Sequence, residues 1–322
     1  MKKYLSLLFI VVMIGMLFFG FTGCGSDTAV EEVVEEVEEA VGEVVDEIVE
    51  EEIDVDALVE NLAVSYFEKT AQSTNIIHAD DVKAMVDDNP DSVFILDIRR
   101  AEDFEAGHIE GAYHSEWASV GEIMDRIPTN RPVVVTCYTG QTAGQAVGWL
   151  RMAGFDNVQS LRLGMTRGWT GESEYEVTGE GMNAAADLSA GTSPANEEEE
   201  ILWALAQDMF ADVATIGNNI IQPAELQEAL EGNPNSFYVL DIRSADDYAA
   251  GHIEGSVHSP WAAVGEILGD LPTNRPIVVT CYTGQTAGQT VGVLRMLGFD
   301  AKSLASGMNL GWLAEDLPVV SE

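Results

Sequence analysis

The chain has 322 residues, long enough for two domains of ordinary size, each with its own core. Its 46% hydrophobic and 22% charged residues suit a globular protein, yet 55 acidic against 15 basic residues leave a net charge of −40. That balance argues against nucleic acid and anionic lipid headgroups as partners.

At the N-terminus, Lys2 and Lys3 precede an apolar or small stretch over residues 4–21, and Thr22-Gly23-Cys24-Gly25 follows. Small residues directly before a cysteine resemble the bacterial lipobox, although Phe21 stands where that motif usually has Leu. The resemblance implies a signal peptide over residues 1–23, a lipid on Cys24, and an extracytoplasmic, membrane-anchored protein. An uncleaved anchor is the alternative, because the stretch has about the minimum length of ~18 residues for a membrane helix.

Residues 24–54 then form an acidic stalk, dense in Glu and Asp and without Lys or Arg from Asp27 onward. Val30, Val33, Val34, Val37, Val41, Val44, Val45 and Ile48 recur at helical spacing, which predicts an amphipathic helix. A coiled-coil seam on an 11-residue repeat fits the same pattern. So does a self-repelling acidic tether.

The remainder is a duplication. Leu96-Asp97-Ile98-Arg99 returns as Leu240-Asp241-Ile242-Arg243, and Gly107-His108-Ile109-Glu110-Gly111 as Gly251-His252-Ile253-Glu254-Gly255. Pro128-Thr129-Asn130-Arg131-Pro132 returns as Pro272-Thr273-Asn274-Arg275-Pro276, and the register slips by one residue only after Phe155 and Phe299. The first domain is placed at residues 55–174 and the second at 198–322. Residues 175–197, rich in Gly, Ala, Ser, Thr and Glu, read as a linker.

Within a copy, unpatterned β-branched runs at 93–98 and 133–136 predict central parallel strands. Residues 80–86 and 141–152 predict helices, the second ended by a glycine cap at Ala153-Gly154. Alternation of strands and helices implies an α/β fold, with a mostly parallel central sheet flanked by helices in each domain. Ligands of such sheets gather at the C-terminal strand ends.

Cys137 follows one of these ends. The stretch Val135-Thr136-Cys137-Tyr138-Thr139-Gly140-Gln141-Thr142-Ala143-Gly144-Gln145 recurs as Val279 to Gln289, with Cys281 as its cysteine. A cysteine between a strand and a helix N-terminus sits where unpaired amides and the helix dipole favour a negative sulfur. In an oxidising compartment the bland alternative is a disulfide between Cys137 and Cys281. Equivalent positions in two repeats argue against it, since the Cα atoms must approach to roughly 4.4–6.8 Å.

Together, residues 96–99, residues 104–112 and the Cys-x-x-Gly-x-Thr loop at 137–142 resemble tandem rhodaneses, in order and spacing and twice over. The resemblance implies a flattened α/β domain, two tandem rhodanese-like domains in all, and a sulfurtransferase whose cysteines carry persulfides. Cys137 and Cys281 are then the catalytic residues. The loop residues Tyr138, Thr139, Gly140, Gln141 and Thr142, with Tyr282, Thr283, Gly284, Gln285 and Thr286, surround the substrate. Backbone amides from Tyr138 to Gly144 can form a nest for a persulfide anion, Gly140 permits the turn, and Thr139 and Thr142 supply hydroxyls. Neither a metal nor an organic cofactor is required. The partners are a small sulfur-containing donor, a thiol or cyanide-like acceptor, and the membrane through the lipid.

Two departures qualify the resemblance. Neither loop contains the Arg or Lys common in rhodaneses, so a persulfide or polysulfide donor is as plausible as thiosulfate. Tandem rhodaneses often keep one cysteine, whereas both survive here. The related phosphatases need a longer loop closed by Arg, which disfavours that activity. A non-catalytic binding module and a thiol redox sensor are the alternatives to sulfur transfer.

Supporting residues are Asp97, Arg99, His108, Asp241, Arg243 and His252. For the Asp–Arg pairs a fold-stabilising ion pair is favoured over direct catalysis. For the histidines, structural hydrogen bonds in a turn are favoured over proton transfer. Trp117 and Trp261 can wall the site, with core packing the safer reading, and Trp169 and Trp312 read as packing.

Overall fold

Strand β4 (Val133–Thr136) consists of three valines and a threonine, all buried, because both faces of its sheet are covered. It belongs to a computed structural model that describes residues 53–177, 179 and 181–321. The segment expected to be a signal peptide, the Cys24 expected to carry a lipid and the amphipathic helix expected in the stalk all lie outside the described residues.

The first repeat adds β1 (Ile76–Ile77), β2 (Phe94–Asp97), β3 (Tyr113–His114) and β5 (Val158–Leu161). Spatial order is β1-β5-β4-β2-β3, with every pairing parallel. The second repeat reproduces it as β6 (Ile220–Ile221), β7 (Tyr238–Asp241), β8 (Val257–His258), β9 (Ile277–Thr280) and β10 (Ala301–Leu304). The α/β architecture expected from alternating strands and helices is therefore present twice.

Eight α-helices accompany the strands among the described residues. They are α1 (Val55–Thr70), α2 (Ala79–Asp88), α3 (Ala101–Glu105), α4 (Gln141–Met152), α5 (Glu197–Ile216), α6 (Pro223–Gly232), α7 (Ala245–Ala250) and α8 (Gln285–Met296). Helix α4 has the predicted bounds, and its end is capped by Gly154 at φ 95°. Asp54 caps α1 by accepting from Ala57 N (3.0 Å), and Asn196 caps α5 by accepting from Glu199 N (3.0 Å).

The two repeats meet along α4 and α8, which are buried almost all round. Close approach is written in their glycines. A Cβ on Gly144 would stand 2.5 Å from Gln285 O, and one on Gly288 would stand 2.4 Å from Gln141 O. Gly148 and Gly292 repeat the arrangement a turn later, against Gln289 O and Gln145 O. Polar side chains line the same seam. Gln289 accepts from Tyr66 (2.6 Å) and donates to Thr74 O (2.9 Å), while Gln145 accepts from Asn219 (3.1 Å) and donates to Asn218 O (2.8 Å).

The leading helices are exchanged. Helix α1 precedes the first repeat but packs on the ten-residue 3₁₀ segment Trp261–Asp270 of the second, and α5 packs on Trp117–Arg126 of the first. Gly121 lets Gln207 Cα approach to 3.0 Å of where a Cβ would lie, and Gly265 does the same for Val64. The apolar faces of α1 and α5 enter one shared core with both sheets.

The described residues between 175 and 197, read as a linker, run along the first repeat rather than standing clear of it. Gly179 pairs with His108, Ala184 with His114, and Gly191 and Thr192 both donate to Asp125 O. Arg126 Nε returns a bond to Leu188 O (3.0 Å).

Candidate active site

Each cysteine leaves the C-terminal end of a central strand and enters a turn closed by glycine. Gly140 (φ 84°) and Gly284 (φ 88°) stand in the left-handed region just before α4 and α8. That turn folds the first amides of each helix back onto sulfur. Cys137 Sγ accepts from Gly140 N (3.1 Å) and Ala143 N (3.4 Å), and Cys281 Sγ from Gly284 N (3.1 Å) and Ala287 N (3.3 Å). Gly144 N, expected in the nest, is instead used by the helix, donating to Gly140 O (2.9 Å). Both cysteines are free thiols and 2% exposed.

A second turn, which the sequence reading did not single out, underlies each loop. Met165 N donates to Cys137 O and Thr166 N to Tyr138 O, both at 2.8 Å. Gly164 (φ 60°) lies so close that a Cβ there would fall 2.5 Å from Cys137 O. Gly307 and Met308 repeat this beneath Cys281. The available signal was Ser160-Leu161-x-x-Gly164-Met165, which recurs as Ser303-Leu304-x-x-Gly307-Met308 beyond the one-residue slip.

Comparison with known proteins decides the family. The rhodanese-like domain profile matches residues 78–171 and again 222–315. The chain belongs to the rhodanese-like family. It is similar to the thiosulfate sulfurtransferase GlpE of Actinobacillus succinogenes, 35% identical over 79 residues, which are 24% of this chain and 70% of that protein. The putative sulfur carrier protein YrkF of Bacillus subtilis is 31% identical over 87 residues, 27% of this chain and 46% of that protein. Among solved structures, a rhodanese-related protein from Thermoplasma volcanium is 27% identical with a TM-score of 0.29, covering 32% of this chain and 97% of its own.

In both rhodanese-like domains the loop tyrosine forms the exposed rim. Tyr138 donates to Asp103 Oδ2 and accepts from Arg100 Nε (3.2 Å), while Tyr282 donates to Asp247 Oδ2 (2.6 Å) and accepts from Ser244 N (3.1 Å). The Tyr138 hydroxyl, before the neighbouring guanidinium, holds the Asp103 carboxyl below the usual carboxylate range. Asp247 is lowered likewise, first by the Ser244 hydroxyl and then by Tyr282.

The remaining loop residues divide by direction. Thr139, Thr142, Thr283 and Thr286 are half-buried beside the sulfur-binding amides. The side chains of Gln141 and Gln285 turn away from the site into the seam between repeats.

Asp97 and Arg99 form a buried bidentate pair, with Nη2–Oδ2 at 2.6 Å, and Arg99 also donates to Gly107 O (3.0 Å). Asp241 and Arg243 repeat it, with Arg243 donating to Gly251 O (2.7 Å). His108 Nδ1 lies 2.8 Å from Phe104 O and its ring stacks on Phe104 at 3.7 Å. His252 does the same with Tyr248, at 2.8 and 3.8 Å. Trp117 stacks on Trp149 at 5.8 Å, and the buried indole nitrogens of Trp117 and Trp261 have no partner among the described residues. Trp169 and Trp312 are packed into their domains. Among the described residues no cluster of three or more His, Cys, Asp or Glu is placed to hold a metal.

Proposed function

We propose that the protein moves sulfane sulfur through persulfides on Cys137 and Cys281. The observation that carries this reading is the pair of amides aimed at each sulfur, from Gly140 and Ala143 and from Gly284 and Ala287. They offer fixed positive dipoles to a sulfur anion without any cofactor.

With thiosulfate as donor, the cysteine thiolate attacks the outer sulfur. A new S–S bond forms, the bond to the sulfonate sulfur breaks, and sulfite departs with the electron pair. The cysteine persulfide keeps the negative charge. An acceptor such as cyanide or a thiolate then attacks the terminal sulfur, and the original thiolate leaves. A polysulfide or low-molecular-weight persulfide enters the same cycle, with a shorter sulfur anion leaving in place of sulfite. The loops lack Lys and Arg, so amides and hydroxyls carry the recognition of the donor.

The chemistry is assigned to an extracytoplasmic site tethered by a lipid on Cys24, on the strength of residues 2–25. Mass spectrometry of the full chain from a bacterial membrane, with Cys24→Ser as control, tests the lipid.

Sulfur transfer is tested by incubating the full chain with thiosulfate or a polysulfide and weighing the peptides that carry Cys137 and Cys281. One added sulfur on each, removed by cyanide and missing in the matching Cys→Ser variants, is the expected result. Failure of both donors to load either cysteine overturns the proposal.

A further inference from the structure

Gln285 lies in the loop of Cys281, yet its side chain serves the other repeat. Its Nε2 donates to Ser160 Oγ (2.8 Å) and Leu161 O (2.9 Å), and its Oε1 accepts from Leu163 N (3.1 Å). Gln141, from the loop of Cys137, makes the reciprocal set with Ser303 Oγ (2.7 Å), Leu304 O (2.9 Å) and Ser306 N (3.1 Å). Both carboxamides are buried, and both of their ends are bonded.

The segment each glutamine holds is the turn beneath the opposite cysteine loop. Leu163 (φ 56°) and Ser306 (φ 58°) are left-handed although neither is glycine, a conformation that persists only where neighbours enforce it. From Leu163 the chain passes to Gly164 against Cys137 O, and to Met165, whose amide bonds Cys137 O. The Gln285 carboxamide also presses on Gly140, leaving 2.8 Å to where a Cβ would lie. Gly140 N is one of the two amides on Cys137 Sγ. Two routes therefore lead from Gln285 to the cradle of Cys137, and the mirror routes lead from Gln141 to that of Cys281.

We infer that Gln285 is a positioning residue for Cys137, and Gln141 for Cys281, each acting across the interface. Filling the seam would need only apolar atoms, since a buried carboxamide costs desolvation unless every polar end is met. Here both polar ends meet the turn under a thiol. Sulfur transfer from a given repeat thus depends on a side chain contributed by the other, a consequence that rests on the proposed function; the geometric assignment does not.

The test replaces Gln285 or Gln141 by Met in the full chain, preserving bulk while removing the polar atoms. Alkylation by iodoacetamide is followed separately at Cys137 and Cys281 by peptide mass. Gln285→Met is expected to accelerate alkylation of Cys137 by about tenfold relative to Cys281, as the turn relaxes and the shielded sulfur opens, and Gln141→Met to do the reverse.

Adding Ser306→Gly to Gln141→Met should restore much of the protection at Cys281, because glycine adopts the left-handed turn unaided. That rescue separates positioning from a general loosening of the seam. Equal changes at both cysteines, no change at either, or absence of rescue overturns the assignment. Alkylation needs no sulfur transfer, so a crossed pattern in a protein that takes up no sulfur would refute the proposed function and leave this inference standing.

Discussion

Tyr66, in the helix ahead of the first repeat, donates its hydroxyl to Gln289 Oε1 of the second at 2.6 Å. Burial pushes the Tyr66 phenol above its ordinary range. Its folded value is raised, so its contribution is complete below the unfolded value of about 10 and is lost as the pH rises from there through the folded value. Tyr66→Phe should cost about 1 kcal/mol at neutral pH, and the variant should lose part of the alkaline decline. Urea denaturation across the alkaline range checks both.

The pair of Asp97 and Arg99 is buried at the end of β2 and ties the loop before β3 through Gly107 O. Asp97→Ala leaves a buried guanidinium without its partner and should cost about 3–5 kcal/mol. Thermal unfolding should show the loss. A stability change below about 1 kcal/mol would mean the guanidinium finds water instead.

Gly288 admits no side chain facing Gln141 O. Gly288→Val should force α4 and α8 apart and destabilise the protein by about 1–3 kcal/mol. By contrast, Gly269 has open space where a Cβ would go, so Gly269→Ala should remain within about 0.5 kcal/mol of the parent. Comparing the two melts isolates the interface.

The Tyr138 hydroxyl holds the Asp103 carboxyl low, so their bond is present above the unfolded carboxylate value and is lost as the pH falls through the depressed folded value. Tyr138→Phe should move Asp103 back toward the ordinary carboxylate range near 4. An NMR titration of the Asp103 carboxyl reads this directly. An unchanged titration would assign the depression to the guanidinium groups of Arg100 and Arg99 instead.

The net charge of −40 repels a dianionic donor, and neither loop carries a cation to offset it. Raising ionic strength should therefore lower the KM for thiosulfate, as screening shortens the reach of the repulsion. Steady-state kinetics in increasing NaCl measures it, and a KM that climbs with salt would contradict the argument.

The parts legible in the sequence were those set by local pattern. The β-branched run at 133–136 reads as a central strand and forms one, and the glycine at 154 marked the end of α4. Asp97 and Arg99 form a buried pair, and His108 bonds the carbonyl of Phe104 within its turn.

What escaped depends on direction and partner. Nothing in the letters says that Gln141 points into the other repeat, or that Leu163 and Ser306 take positive φ. The exchange of α1 and α5 was hidden by the duplication itself. Phe67 of α1 and Phe210 of α5 are both fully buried, and either helix satisfies the pattern required by either repeat.

The exchanged helices also impose an order on synthesis. A ribosome delivers α1 while its docking segment, Trp261–Asp270, is still unmade, and the first repeat emerges before α5 exists to cover it. For much of translation the nascent chain carries apolar helix and sheet faces whose partners lie downstream. Closure of either half is postponed until most of the message has been read, so unfinished apolar surface persists for longer than in a chain whose domains complete themselves in turn.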